Sequence, residues 1–243
     1  MTKVSGAIIA IPILYVFMNK MLLLYKEDKT KFLKLLLVIV LFGIISLPIG
    51  LWHPIRNKVL FDQPLGGVLI PGSFQYIGDY SEIQRFFTLS IKETFKEIYC
   101  QIPGDYNVMA NIIKTSIFGE FSYVDMTASF ATLFKMVNTI VIIFTIIAIF
   151  MELGKPTKSK EKILLINTCL IFYFVLMLSY IYFNIQYPYS YTMNFRYIVP
   201  TVFIGALILL NRIENIKSET VKQIVENTIV IFCMLSIVMF FYI

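Results

Sequence analysis

The chain has 243 residues, of which 58% are hydrophobic and only 15% charged, and its mean hydropathy is +0.78. A water-soluble domain of this size cannot hide so much apolar surface, which excludes a soluble enzyme or binding module. The formal charge of +6 sits in short segments between apolar runs, so it points to membrane topology and not to nucleic acid, and no nucleic-acid partner is expected.

In chain order, apolar runs of near-spanning length occupy residues 4–19, 35–51, 136–151, 163–183, 197–210 and 228–243. Each suits a membrane helix, which needs roughly 20 apolar residues. Pro12 is expected to kink the first, and a helical lead-in from Asp125 is expected before the third. Several runs are short for a bilayer, so interfacial residues and local thinning must help them span. The expected fold is an all-α integral membrane protein of about six transmembrane helices. It divides into residues 1–51 (two spans), 52–135 (a large external loop region) and 136–243 (four spans).

Lysine and arginine set the orientation. Lys26, Lys29, Lys31 and Lys34 follow the first run, Lys155, Lys158, Lys160 and Lys162 the third, and Arg212, Lys217 and Lys222 the fifth. With six spans, all three groups fall on one side, and by the positive-inside rule that side is cytoplasmic. Both termini and the long segment 52–135 then face outward. Lys3 begins a weak basic region, but no small-residue cleavage site follows before Lys20, so no signal peptide is expected.

Within the long segment, Ser81 and Gln84 form a capping-box pattern. Ile83, Phe86, Phe87, Ile91, Phe95 and Ile98 then recur at helical spacing, while Arg85, Lys92, Glu93 and Lys96 take other faces. This predicts an amphipathic helix, either lying on the membrane or packed within a small external domain.

Cys169 and Cys233 lie in apolar runs and Cys100 lies in the loop, with no CxxC pattern and no disulfide framework. His53 is the sole histidine, so no histidine-based metal site is expected, and neither metal nor cofactor is assigned. Arg196 and Arg212, if joined by one helix, would stand roughly 24 Å apart, less than the hydrocarbon thickness of about 30 Å. Arg196 is therefore either an ionisable group in a polar cavity, suited to a phosphate by its planar fork, or an anchor in the aromatic belt of Tyr187, Tyr189, Tyr191 and Tyr197. Arg56 and Lys58 suit lipid headgroups, and membrane lipids are expected partners. The loop carboxylates, Asp62, Asp79, Glu82, Glu93, Glu97, Asp105, Glu120 and Asp125, show no acid/base dyad. Glu93 and Glu97 are placed on a solvated face, and Glu120 is flanked by apolar residues that would suit a cleft. No Ser-His-Asp set, Walker loop or GxGxxG occurs.

Three stretches carry a resemblance: ISLPIGLWHPIRNKVLFDQPLG at 45–66, GDYNVMANIIKTSIFGEFSY at 104–123, and YPYSYTMNFRYIVPTVFIGALIL at 187–209. In this order they resemble the C-terminal part of bacterial polytopic glycosyltransferases of the GT-C fold, the group related to protein O-mannosyltransferases and aminoarabinose transferases. The resemblance implies a partial GT-C bundle that moves a sugar from a polyprenyl-phosphate carrier to an acceptor on the outer membrane face. It places Arg56 and Gln63, Lys114 and Glu120, and Arg196 and Tyr197 at the substrate site, with Arg196 the first choice for the carrier phosphate. The family's catalytic aspartate lies in an earlier external loop that this sequence lacks. The chain is thus expected to be inactive without an N-terminal part, which would be a partner encoded upstream. No residue here is assigned as the base. Two other readings stand beside this one: a transporter or channel component, which would favour paired charges within spans, and a non-catalytic assembly subunit.

Overall fold

The computed structural model describes residues 8–62, 76–88, 91–99, 105–119, 127–154, 156 and 160–241. Among them the regular structure is helical, with no strand and one isolated bridge between Tyr76 and Tyr189. The chain divides into two units, Met1–Pro71 and Gly72–Ile243.

In the first unit, helix α1 (Ala10–Glu27) is followed by α2 (Lys29–Phe61). Asp28 makes the turn between them. Its extended backbone leaves α1 after its N–H donates to the Leu24 carbonyl at 2.8 Å. Its carboxylate then accepts the N–H groups of Thr30 and Lys31, capping α2. The Lys31 N–H, first among these causes, holds the Asp28 carboxyl below its ordinary pKa. Helix α2 has no buried residue and ends at Asp62, whose φ of 50° falls in the left-handed region that Asp tolerates.

The expected second span stopped at residue 51, with an external loop from 52. Instead α2 runs on through Trp52–Phe61 with Pro48 and Pro54 inside it, some 33 residues or about 50 Å. Each proline removes one ladder donor, but the neighbouring bonds persist. His53 and Arg56 are therefore helix residues and not loop residues, and the unit boundary lies at Pro71 and Gly72.

The second unit holds two short helices, α3 (Glu82–Phe87) and α4 (Ile91–Lys96), then α5 (Val108–Phe118), α6 (Ala128–Gly154) and α7 (Lys160–Gln186). Two 3-10 turns, Ser190–Met193 and Phe195–Tyr197, lead to α8 (Pro200–Ile213) and α9 (Glu219–Phe240). Gly119 ends α5 at φ 63° and ψ −136°, a conformation that glycine alone adopts without strain. Helix α8 packs against both α6 and α7, and α9 packs against α6. The face of α8 turned inward holds Thr201, Ile204, Gly205 and Ile208, while Phe203, Leu207 and Leu210 face outward. At Gly205 a Cβ would lie 2.8 Å from Cγ2 of Thr145, so the glycine lets α8 approach α6 closely.

Bulky apolar side chains also cover the outside of α6 and α9, among them Ile143, Ile147, Met234 and Ile237. So much exposed apolar surface is foreign to a water-soluble monomer. Among the described residues, four helices are long and apolar enough to cross a membrane: α2, α6, residues Lys162–Gln186 of α7, and α9. The other two expected spans are helical but do not meet that description. Helix α8 has 14 residues, about 21 Å, and α1 carries Lys20, Lys26 and Glu27.

The capping box expected at Ser81 is present, with the Gln84 N–H donating to the Ser81 hydroxyl and the Ser81 N–H to the Gln84 side chain. The single amphipathic helix expected after it is two helices, interrupted after Phe87. The faces also differ from expectation. Arg85 and Phe86 are buried, whereas Ile83, Phe87 and Ile91 are exposed. The reason is tertiary: Arg85 reaches the Asn184 carbonyl in the last turn of α7, at 2.7 Å, and this draws its side of α3 against the bundle.

Candidate functional site

Helix α5 organises one end of the second unit. Asn107 caps it by accepting the Ala110 N–H at 2.8 Å, while the Asn107 amide donates to the carbonyls of Gln84 and Thr88 at the end of α3. One turn on, the Asn111 amide donates to the Asn107 carbonyl and touches the Met193 sulfur. A further turn brings Thr115, whose hydroxyl donates to the Asn111 carbonyl and accepts the Phe195 N–H at 2.9 Å. A polar stripe at helical spacing thus ties α5 to α3 on one side and to the 3-10 turns on the other.

Lys114 lies beside this stripe. Its side chain is 1% exposed, and its ammonium sits 3.0 and 3.1 Å from the two Asp105 oxygens and 3.7 Å from Glu97. The single lysine of α6 is equally buried: Lys135 donates to the carbonyls of Thr94 at 2.8 Å and Glu97 at 2.9 Å, at the C-terminal end of α4. Glu97 is therefore held twice, by its carboxylate toward Lys114 and by its carbonyl toward Lys135. Buried cations are tolerable here because each meets a carboxylate or a set of helix-end carbonyls, where backbone dipoles are negative. Arg85 uses the same device at the end of α7. Burial lowers its pKa, and its Nε–H has no acceptor among the described residues.

Arg196 has a different setting. Asn194 caps its 3-10 turn by accepting the Arg196 N–H at 2.8 Å. The guanidinium is exposed and lies 5.2 Å from the centroid of the Tyr197 ring, with Nη2 3.4 Å from the Tyr197 hydroxyl. Tyr197 rests on Phe183 with ring centroids 5.2 Å apart, and Tyr189 stacks on Tyr191 at 5.6 Å. The expected continuous helix from Tyr197 is not formed: Ile198 leaves the helical region at φ −125° and ψ 17°, and Pro200, at the start of α8, has no N–H to bond back into the preceding turn. The roughly 24 Å spacing of Arg196 from Arg212 presumed one helix. Arg196 instead sits on a separate turn at the rim.

Of the other residues expected at the site, Tyr197 is beside Arg196, and Lys114 is on α5 but engaged with Asp105 and Glu97. Arg56 is exposed on α2 in the first unit. Gln63 and Glu120 lie outside the described residues. Sequence reading missed Lys135 and Arg85, and it missed the contact of Glu97, whose side chain is 41% exposed, with Lys114. The one signal for Lys135 was its place directly before the apolar run 136–151. No group of three or more His, Cys, Asp or Glu that could hold a metal ion occurs among the described residues.

The opposite end of the bundle has its own buried ion pair. Arg212 at the end of α8 meets Glu152 at the end of α6, with Nη2 2.5 Å from the carboxylate, and donates to the Met151 carbonyl at 2.8 Å. Lys162 at the start of α7 meets Glu214 just beyond α8, also at 2.5 Å. Lys135 and Glu152 are about 26 Å apart along α6, so charged contacts bracket its apolar stretch at nearly the thickness of a bilayer core.

These features define a helical bundle of membrane-compatible composition with a structured polar cap at one end. Compared with protein families, with curated proteins and with solved structures, the chain matches none.

Proposed function

We propose that the chain is the later part of a membrane glycosyltransferase of the GT-C type, which moves a sugar from a polyprenyl-phosphate carrier to an acceptor on the outer membrane face. In this reading α1 and α8 also span, giving six spans, and the end of the bundle that holds Lys162 and Arg212 is cytoplasmic. The α5 end faces outward and forms one wall of the lipid-linked sugar site.

The observation that carries the reading is the bond from the Phe195 N–H to Thr115. It joins two of the three resembling stretches, 104–123 and 187–209, which are far apart in sequence. Arg196 follows Phe195 directly, and its exposed guanidinium beside the tyrosine rim suits the carrier phosphate. Tyr197 positions that guanidinium. Lys114, committed to Asp105 and Glu97, holds α5 in place and is not a phosphate ligand. Arg56, Gln63 and Glu120 keep the roles the resemblance gives them.

The test is sugar transfer from polyprenyl-phosphate-sugar in membranes containing this chain together with an N-terminal part that supplies the remaining spans of such an enzyme. Arg196→Ala is expected to lower turnover about tenfold or more, the worth of one charge-assisted phosphate contact, and Arg196→Lys to restore part of it. Absence of transfer with a complete partner, or full turnover by Arg196→Ala, would sink the reading.

A further inference from the structure

The cap formed by α3 and α4 has two unlike faces. Arg85, Phe86 and Thr94 are buried against the bundle, whereas Ile83, Phe87 and Ile91 are 71%, 80% and 69% exposed. Three large apolar side chains open to water on such short helices would be costly, since each fully exposed residue of this size forfeits the gain from burial.

The bundle fixes the depth at which this face lies. Lys135 bonds the C-terminal carbonyls of α4, and it is the last residue before the apolar stretch of α6. Arg85 bonds the last turn of α7, where that helix gives way to the tyrosine-rich turns. Both tethers thus place the cap at the boundary between the apolar length of the bundle and its polar end, the level at which aromatic and cationic side chains meet lipid headgroups. Continuity points the same way. Leu133 and Met136, which flank Lys135 on α6, are half exposed, so the apolar outside of α6 reaches the level of α4. Lys96, in the last turn of α4, is exposed and suits a headgroup phosphate.

We propose that Ile83, Phe87 and Ile91 insert into the interfacial zone of the bilayer, so that the cap is held by the bundle on one face and by lipid on the other. The two environments foreseen for this segment then act together, and the break after Phe87 lets each short helix turn a buried and a lipid-facing side to its surroundings. An interfacial helix binds through its buried apolar area, supplemented by attraction of cations to anionic lipid. The inference rests on the bundle residing in a bilayer and on no part of the sugar-transfer reading.

The test places a single tryptophan on the cap of the full chain in nanodiscs, with the native Trp52 replaced by phenylalanine. Phe87→Trp, and separately Ile83→Trp, are expected to emit at blue-shifted wavelength and to lose most of their emission to phospholipids brominated on the upper acyl chain. Aqueous acrylamide is expected to quench them little. Both positions are exposed, so folding is expected to be unaffected, and Phe86→Trp serves as the buried reference. Strong acrylamide quenching without bromolipid quenching would overturn the proposal in favour of water. Quenching by neither would overturn it in favour of a protein partner or a second copy over this face.

Discussion

Lys114 and Lys135 stand at the centre of the polar cap, yet their partners differ in a way that can be measured. Lys114 compensates Asp105, whose side chain is only 13% exposed. Lys114→Met is therefore expected to destabilise the second unit by about 3 kcal/mol, because it removes the cation that lies 3.0 Å from a mostly buried carboxylate. Adding Asp105→Asn should recover much of that loss, and a double-mutant cycle on thermal unfolding in detergent would read the coupling. Lys135 compensates carbonyls. Lys135→Met leaves the end of α4 unsatisfied, at a cost of about 1–3 kcal/mol. Hydrogen exchange is expected to quicken in α4 while α6 to α9 stay protected. Uniform quickening would mean that Lys135 supports the whole bundle and not the cap alone. Neither role was legible from residue type, since a lysine next to an apolar run reads first as a boundary anchor. The Ser81–Gln84 box, by contrast, was legible, because its bonds are local and its spacing is fixed by one helical turn.

At the scale of elements, the helices stand where apolar runs predicted them, and their ends do not. Asp28 ends α1 and starts α2 through bonds to its own neighbours. The extension of α2 through Pro48 and Pro54 defied a rule drawn from isolated helices. The start of α8 was shifted in the other direction by Pro200. The crossing of α8 and α6 at Gly205 is a contact between elements, so no pattern within either helix announced it. Gly205→Ala brings a Cβ to 2.8 Å from Thr145 Cγ2. It is expected to destabilise the bundle by about 1–3 kcal/mol, as overpacking does. Thr145→Ser removes that methyl group and should relieve the strain, which melting curves of the double variant would reveal. If Gly205→Leu melts like the native chain, α8 does not approach α6 as described.

For the molecule as a whole, the second unit has two chemically distinct ends. Glu214 is exposed at the Arg212 end, and Asp79 is exposed beside Ile77, whose N–H donates to the Pro188 carbonyl beyond the end of α7. Single cysteines at these positions, in a background lacking Cys100, Cys169 and Cys233, are expected to react with an impermeant maleimide from opposite sides of sealed vesicles. Labelling from the same side would contradict a membrane-crossing second unit. The sequence by itself determined the helical, membrane-compatible character and the order of the apolar segments, because hydrophobic period and run length are properties of contiguous residues. The ion pairs of Lys162 with Glu214 and of Arg212 with Glu152 gather α6, α7 and α8 at one end. Only the tertiary structure decided that Arg85 turns inward while Phe87 turns outward. It likewise decided that Lys114 is spent on Asp105 and that Arg196 stays at the rim. Each of those outcomes depends on a carbonyl or carboxylate brought from another element, and no spacing along the chain encodes that encounter.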